Sequence, residues 1–173
     1  MRKNYLLGYE TFLNFILAGK AVFRAVGTRE NNLTRKLTDM SFKVIKEAVK
    51  EDEEAGGWRV YVWFKDYPEE ADAKAWKTIG FIYKRDMRFG GCDGARRDLR
   101  WELSRFALLW NWAWSRDLKL EEDIDLMHHG YCARCNRKLV APKSNRLGLG
   151  PVCAKKVRKF SGVGIPWSGQ DLF

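Results

Sequence analysis

Trp58-Arg59-Val60-Tyr61-Val62-Trp63-Phe64-Lys65 decides the fold class. β-branched and aromatic residues dominate it, a composition that suits a pleated, half-buried surface. Trp58, Val60, Val62 and Phe64 fall on one face, and Arg59, Tyr61, Trp63 and Lys65 on the other. Both faces are apolar enough that the alternation does not say which is buried. Downstream, Trp76–Lys84 repeats the composition with Ile79, Phe81, Ile82 and Tyr83. Upstream, residues 20–27 (KAVFRAVG) read as a strand and the GTRENN that follows as a turn. The stretch 33–50 fits two periods. Phe42, Val44 and Lys46 alternate as in a strand, whereas Phe42, Ile45, Ala48 and Val49 suit a helix. The strand reading, through about residue 47, is adopted, and KEDEEAGG is a solvated loop. These segments predict an antiparallel sheet of three or four strands.

Helical spacing appears twice. Tyr9, Phe12, Leu13, Phe15, Ile16 and Leu17 predict a short helix over 9–18 that stops at Gly19. After the glycine-rich RFGGCDG breaks the chain, residues 95–115 form the longest helical segment. Leu99, Leu103, Phe106, Leu109, Trp110, Ala113 and Trp114 make a stripe that should pack on one face of the sheet. Trp101, Trp110, Trp112 and Trp114 are read as core residues by this spacing, with Trp112 falling off the stripe. SRDLKLEEDIDLM is a polar connector. The expected fold is α+β: a small antiparallel sheet packed with a long helix, plus an appended C-terminal zinc knuckle. The expected organisation is an α+β domain over 1–118, a zinc-binding module over 119–160 and a flexible tail over 161–173.

A chain of 173 residues with 46% hydrophobic and 14% aromatic residues can bury a real core, which excludes a disordered protein. No internal repeat is visible. No run approaches the roughly 18 apolar residues of a spanning helix. Glu10 and Asn14 interrupt the N-terminal apolar run, and no small-residue cleavage site follows it. The expected location is cytoplasmic, away from membranes.

Three of the four cysteines stand beside the chain's only two histidines, as His128-x3-Cys132-x2-Cys135-x17-Cys153. Without a secretion signal that arrangement reads as metal binding rather than cross-linking. Zinc takes four sulfur or nitrogen ligands in a tetrahedron, and these residues supply three sulfurs and one nitrogen. His129 is the alternative fourth ligand. Four protein ligands leave no position for water, so the expected zinc is structural, one per chain. Asn136 follows the second cysteine, where a knuckle often needs positive φ, which Asn tolerates. Pro151 is placed to open a helix through AKKVRKF, with Cys153 in its first turn, where the dipole favours a thiolate.

Charge singles out the same segment. Residues 130–160 carry Arg134, Arg137, Lys138, Lys143, Arg146, Lys155, Lys156, Arg158 and Lys159, and no Asp or Glu. Of the 32 basic residues in the chain these are nine, leaving 23 to set against 22 acidic ones. Nearly all of the net charge of +10 therefore lies in this segment. A local field of this sign attracts phosphate backbones or an acidic protein surface.

The string His128-x-Gly130-x-Cys132-x2-Cys135-x-Arg137-x-Leu139-x2-Pro142-x-Ser144, ending Gly148-x-Gly150-Pro151-x-Cys153, resembles a zinc-knuckle family of bacteriophage and plasmid proteins. No function is assigned to that family. The resemblance covers residues 128–154, and more loosely the FLNFILAGKAVF, Trp58 and IGFIY segments. It implies a phage or mobile-element accessory protein with His128 as ligand, since the family's histidine stands two residues before the glycine. This chain has Asn136 where the family usually has glycine, and Lys143 where an acidic residue is common. The second change makes this copy more basic, which puts in doubt any partner carried over from other members.

Other features carry less. Tyr61 and Trp63, between Arg59 and Lys65, resemble a stacking surface for single-stranded nucleic acid. Packing of those rings under the helix is the alternative. Cys92 is a loop thiol with no acid–base partner. The C-terminal Gln170-Asp171-Leu172-Phe173 resembles, in imperfect register, peptides that dock on the bacterial sliding clamp. No catalytic acid/base pair is evident, and a cleft holding Asp93, Asp98 or Glu102 would be the place for one. The expected function is non-enzymatic: a zinc-stabilised protein binding DNA or RNA through the basic residues above. The alternative is a protein-binding inhibitor or adaptor acting on a host defence or nucleic-acid-processing complex.

Overall fold

A computed structural model describes residues 5–6, 8–27, 40–47, 56–63, 76–115 and 124–157. Phe64, Lys65, Arg158, Lys159 and the tail from 160 onward, with its clamp-like Gln170–Phe173, lie outside the described residues.

The alternation around Trp58 becomes the centre of a six-stranded antiparallel sheet, in the order β5-β4-β3-β2-β1-β6. The strands are β1 (Lys20–Gly27), β2 (Met40–Glu47), β3 (Gly57–Trp63), β4 (Lys77–Tyr83), β5 (Phe89–Gly91) and β6 (Ile124–His128). Among the described residues the helices are α1 (Tyr9–Ile16), α2 (Asp93–Asp98), α3 (Arg100–Ser115), α4 (Pro142–Leu147) and α5 (Pro151–Val157). The class is α+β.

Strand pairing settles which face is buried. Phe23, Phe42, Val44, Val60 and Val62 are wholly inaccessible, while Lys43, Arg59, Tyr61 and Trp63 stay half-exposed. The Trp58 face is therefore the inner one, and Tyr61 and Trp63 do not pack under the helices. Phe12 and Phe15 of α1 and Phe106 of α3 close the inner face. Their rings continue in edge or tilted contacts from Phe12 to Phe23 (5.2 Å), Phe42 (5.5 Å), Phe106 (5.5 Å) and Phe89 (4.8 Å).

Several details differ from expectation. The glycine-rich 89–91 segment is not a break but an edge strand. A Cβ at Gly80 would run into the Gly90 carbonyl and the Phe89 ring, so glycine permits the close approach of β4 and β5. The polar connector ends in β6, which pairs with β1 from Gly27↔Ile124 to Phe23↔His128. The chain thus enters the metal segment directly from an edge strand of the sheet. The segment expected to be one helix over 95–115 is interrupted at Leu99, which adopts φ −129°. Trp112 is buried against Phe12 at 5.6 Å, and it is Trp101 that is 56% exposed.

Candidate metal centre and its basic surface

The metal segment is a short hairpin followed by two short helices. Tyr131 and Lys138 form an isolated bridge, Cys132 N–H donates to the Arg137 carbonyl (2.8 Å) and Leu139 N–H to the Gly130 carbonyl (2.7 Å). Asn136 sits at the tip with φ 59°, the left-handed conformation expected there, and its N–H donates to the Cys132 carbonyl (2.9 Å). Gly148 ends α4 in the same conformation (φ 63°), turning the chain so that Pro151 opens α5 and carries Cys153 in its first turn.

These turns gather Cys132, Cys135 and Cys153, whose sulfurs all lie within 4.8 Å of one another. All are free thiols; Cys132 is buried, Cys153 half-buried and Cys135 exposed. Tetrahedral zinc–sulfur bonds of about 2.3 Å place sulfurs about 3.8 Å apart, so the cluster fits a metal ion with little adjustment. The electrostatics point the same way. Burial opposes the Cys132 thiolate, but the backbone N–H groups of Cys135, Gly150 and Arg134, with the Cys135 side chain, more than offset it. Its pKa is therefore lowered. The Gly150 N–H approaches the sulfur at 3.4 Å. Burial pushes Cys153 up to about 11, and hydrogen bonding and repulsion from Cys135 and Cys132 add to the shift. A cation at the centre would relieve that repulsion.

His128 is placed apart from the three sulfurs' mutual group. It occupies the inner face of β6, 3% exposed, with its ring 5.7 Å from that of Phe15. Its Nδ1 accepts the Gly130 N–H (3.0 Å) and its Nε2 faces the Asn145 carbonyl (2.5 Å). Those two contacts select the Nε2–H tautomer and tie β6 to α4. Burial lowers its pKa, opposed by the Asn145 hydrogen bond. Neighbouring His129 is held down to about 4, by burial first and by His128 second.

The module is fused to the sheet by more than β6. Lys20 N–H donates to the Ala133 carbonyl (2.6 Å), Ala133 N–H to the Gly148 carbonyl (3.0 Å), and Leu6 N–H to the Leu126 carbonyl (2.7 Å). Cys132, Ala133, Leu139, Leu149 and Val157 belong to the same apolar core as the helices. Outward, Arg134, Arg137, Lys138, Lys143, Arg146, Lys155 and Lys156 are all exposed. None takes part in an ion pair among the described residues. Tyr131, Val140 and Val152 are exposed among them, at 47%, 81% and 65%.

Tyr61 and Trp63 stand elsewhere, on the outer sheet face, where the structure adds two residues that sequence reasoning passed over. Lys43 lies opposite Tyr61 in the β2–β3 register, and Trp76 packs on Trp63. The strand alternation of 40–47 held the signal for Lys43; Trp76 had none beyond its position before β4.

Together these features define a class: an α+β domain whose sheet runs directly into a three-cysteine knuckle able to hold a metal ion. A family described as "Family of unknown function (DUF6011)" matches residues 127–158, the knuckle with the end of β6 but not the rest of the sheet. No curated protein and no solved structure matches the chain. No helix among the described residues is long and apolar enough to cross a membrane.

Proposed function

We propose that this is a non-enzymatic binding protein whose knuckle, closed around one structural zinc, holds nucleic-acid phosphates on its basic surface. The observation that supports it is the surface just described. Between Gly130 and Val157 every charged side chain is a cation, all seven are exposed, and no carboxylate occurs. Folding around the metal spreads these cations over the hairpin and over α4 and α5 at fixed positions, which suits a phosphate backbone more than a small anion. Zinc is favoured for the ion because three thiolates are soft ligands in a compact site, with the fourth position of the tetrahedron left to a ligand outside the sulfur group. Cobalt(II) titration of the metal-free chain should give thiolate-to-cobalt absorption saturating at one equivalent.

Anisotropy titrations of the zinc-loaded chain against single-stranded DNA, duplex DNA and RNA, at low and near-physiological salt, test the binding. Changing Lys155 and Lys156 to Ala should weaken all three and flatten the duplex salt slope by about 0.9 for each phosphate no longer held. Binding that ignores the variant sinks the reading. One observation favours a second reading: Tyr131, Val140 and Val152 are apolar anchors amid the cations. They suit an adaptor or inhibitor docking on an acidic protein surface, including one on a host nucleic-acid-processing complex. A Val140→Ser, Val152→Ser variant that binds nucleic acid normally but loses a protein partner would favour it.

A further inference from the structure

The outer face of the sheet, away from α1 and α3, gathers Lys43, Tyr61, Trp63 and Trp76. The Lys43 Nζ lies 4.8 Å from the Tyr61 ring centroid and 4.9 Å from that of Trp76. The Trp63 and Trp76 rings are 5.5 Å apart at 55°. Trp76 is only 8% exposed and packs against the half-buried Trp63.

This cluster is unlike ordinary surface packing in two respects. Arg59, on the same face, is neutralised by a two-pronged pair with Glu47 at 2.7 and 2.8 Å. Lys43 has no such carboxylate among the described residues, and its ammonium meets aromatic rings instead. In addition, the indole N–H groups of Trp63 and Trp76 are shut away from solvent and bond to nothing among the described residues. Native structures leave few buried donors unsatisfied. The face therefore combines aromatic surface with positive charge, and the neighbouring Glu47 carboxylate is already taken.

We propose that this face binds single-stranded nucleic acid, a base stacking on Tyr61 and Trp63 while an adjoining phosphate pairs with Lys43. A single strand offers the face what it lacks, a flat π-surface and a negative charge one nucleotide away. A duplex offers the charge but keeps its base faces stacked. The site uses none of the knuckle's residues and so stands apart from the function proposed above.

The test is anisotropy titration of the zinc-loaded full chain with labelled eight-nucleotide oligo(dT) and oligo(U), and with a duplex. Tyr61→Ala, Lys43→Gln, Lys43→Arg and the Lys155→Ala, Lys156→Ala variant run in parallel, each first checked by thermal melting. Stacking on one aromatic residue is worth roughly 5- to 150-fold in affinity. Tyr61→Ala should weaken single-strand binding at least fivefold and leave duplex binding unchanged. Lys43→Gln should weaken it and lower the salt slope by about 0.7, with Lys43→Arg restoring both. Equal losses on strand and duplex, or no loss with Tyr61→Ala and Lys43→Gln in folded protein, overturn the proposal. Should the knuckle reading fail and this one hold, the Lys155/Lys156 variant would bind the single strand like the wild type while Tyr61→Ala would not. A protein partner on this face would show as no oligonucleotide binding that depends on Tyr61, which also overturns it.

Discussion

Replacing Gly148 with alanine measures how firmly the knuckle is fastened to the sheet. Gly148 ends α4 at φ 63° and ψ 15°, a conformation that costs a residue with a Cβ about 1–2 kcal/mol. The new methyl group would also meet the Phe15 ring and the Leu6 side chain, 1% and 4% exposed in the core. Forcing a carbon into such packing costs about 1–3 kcal/mol, so the expected total is about 2–5 kcal/mol. The built-in control is Gly150, two residues on, which has no left-handed φ and open space where its Cβ would stand. Gly150→Ala should stay within about 0.5 kcal/mol of wild type. Guanidinium unfolding of the zinc-loaded chains, followed by circular dichroism, gives the difference from the midpoints if the slopes agree. In a thermal melt the Gly148 loss should be about 4–20 °C. A Gly148→Ala midpoint matching wild type, or a Gly150→Ala loss as large, would show that the two parts do not meet as described.

His128→Ala should cost about 1–3 kcal/mol by stranding the Gly130 N–H and the Asn145 carbonyl, yet leave one metal per chain on the three cysteines. Loss of metal from a folded variant, read by cobalt absorption, would show His128 to be the fourth ligand. Acid should destabilise the fold in a defined window. Burial depresses both histidines, His129 to about 4, while unfolded imidazoles titrate near 6.5. Below pH 6.5 the unfolded chain takes up protons that the folded chain refuses, so stability is full above about pH 7 and falls toward pH 4. A melting temperature flat from pH 7 to 5 would contradict this. At the knuckle tip, Asn136→Gly should be near neutral and Asn136→Val should cost about 1–2 kcal/mol, since a β-branched residue resists φ 59°. Equal melting temperatures for the two variants would refute the strain.

Strands were legible in the sequence where side chains carry the signal. Trp58 to Trp63 and Ile79 to Tyr83 alternate residues with strong β preference, and Met40–Glu47 kept enough of that period to outweigh a rival helical one. The two edge strands were not. Phe89-Gly90-Gly91 pairs because its glycines let β5 approach β4, which is a property of the partner strand and not of the segment's own propensity. Ile124–His128 alternates over only five residues, and the acidic run before it masks the period. Likewise, Trp112 lies off the stripe of α3, but α1 crosses there and Phe12 covers it; a helix buried from two sides has a wider apolar face than one partner predicts.

The same cause governs what was legible in the metal site. Cys132, Cys135 and Cys153 were readable because a metal demands short, stereotyped spacing, and the turns at Asn136, Gly148 and Pro151 that bring them together are written in residues with fixed backbone preferences. His128 depended on something else, the direction its side chain takes when it leaves the sheet. Phe23↔His128 and Ala25↔Leu126 set that direction: both β6 side chains point inward, where Leu126 joins the core and His128 meets Phe15, Gly130 and Asn145. Proximity in sequence to a CxxC pair says nothing about strand register, and one residue of slip would turn His128 outward and Met127 in. The place of the histidine is thus decided by β6, the element whose sequence signal was weakest.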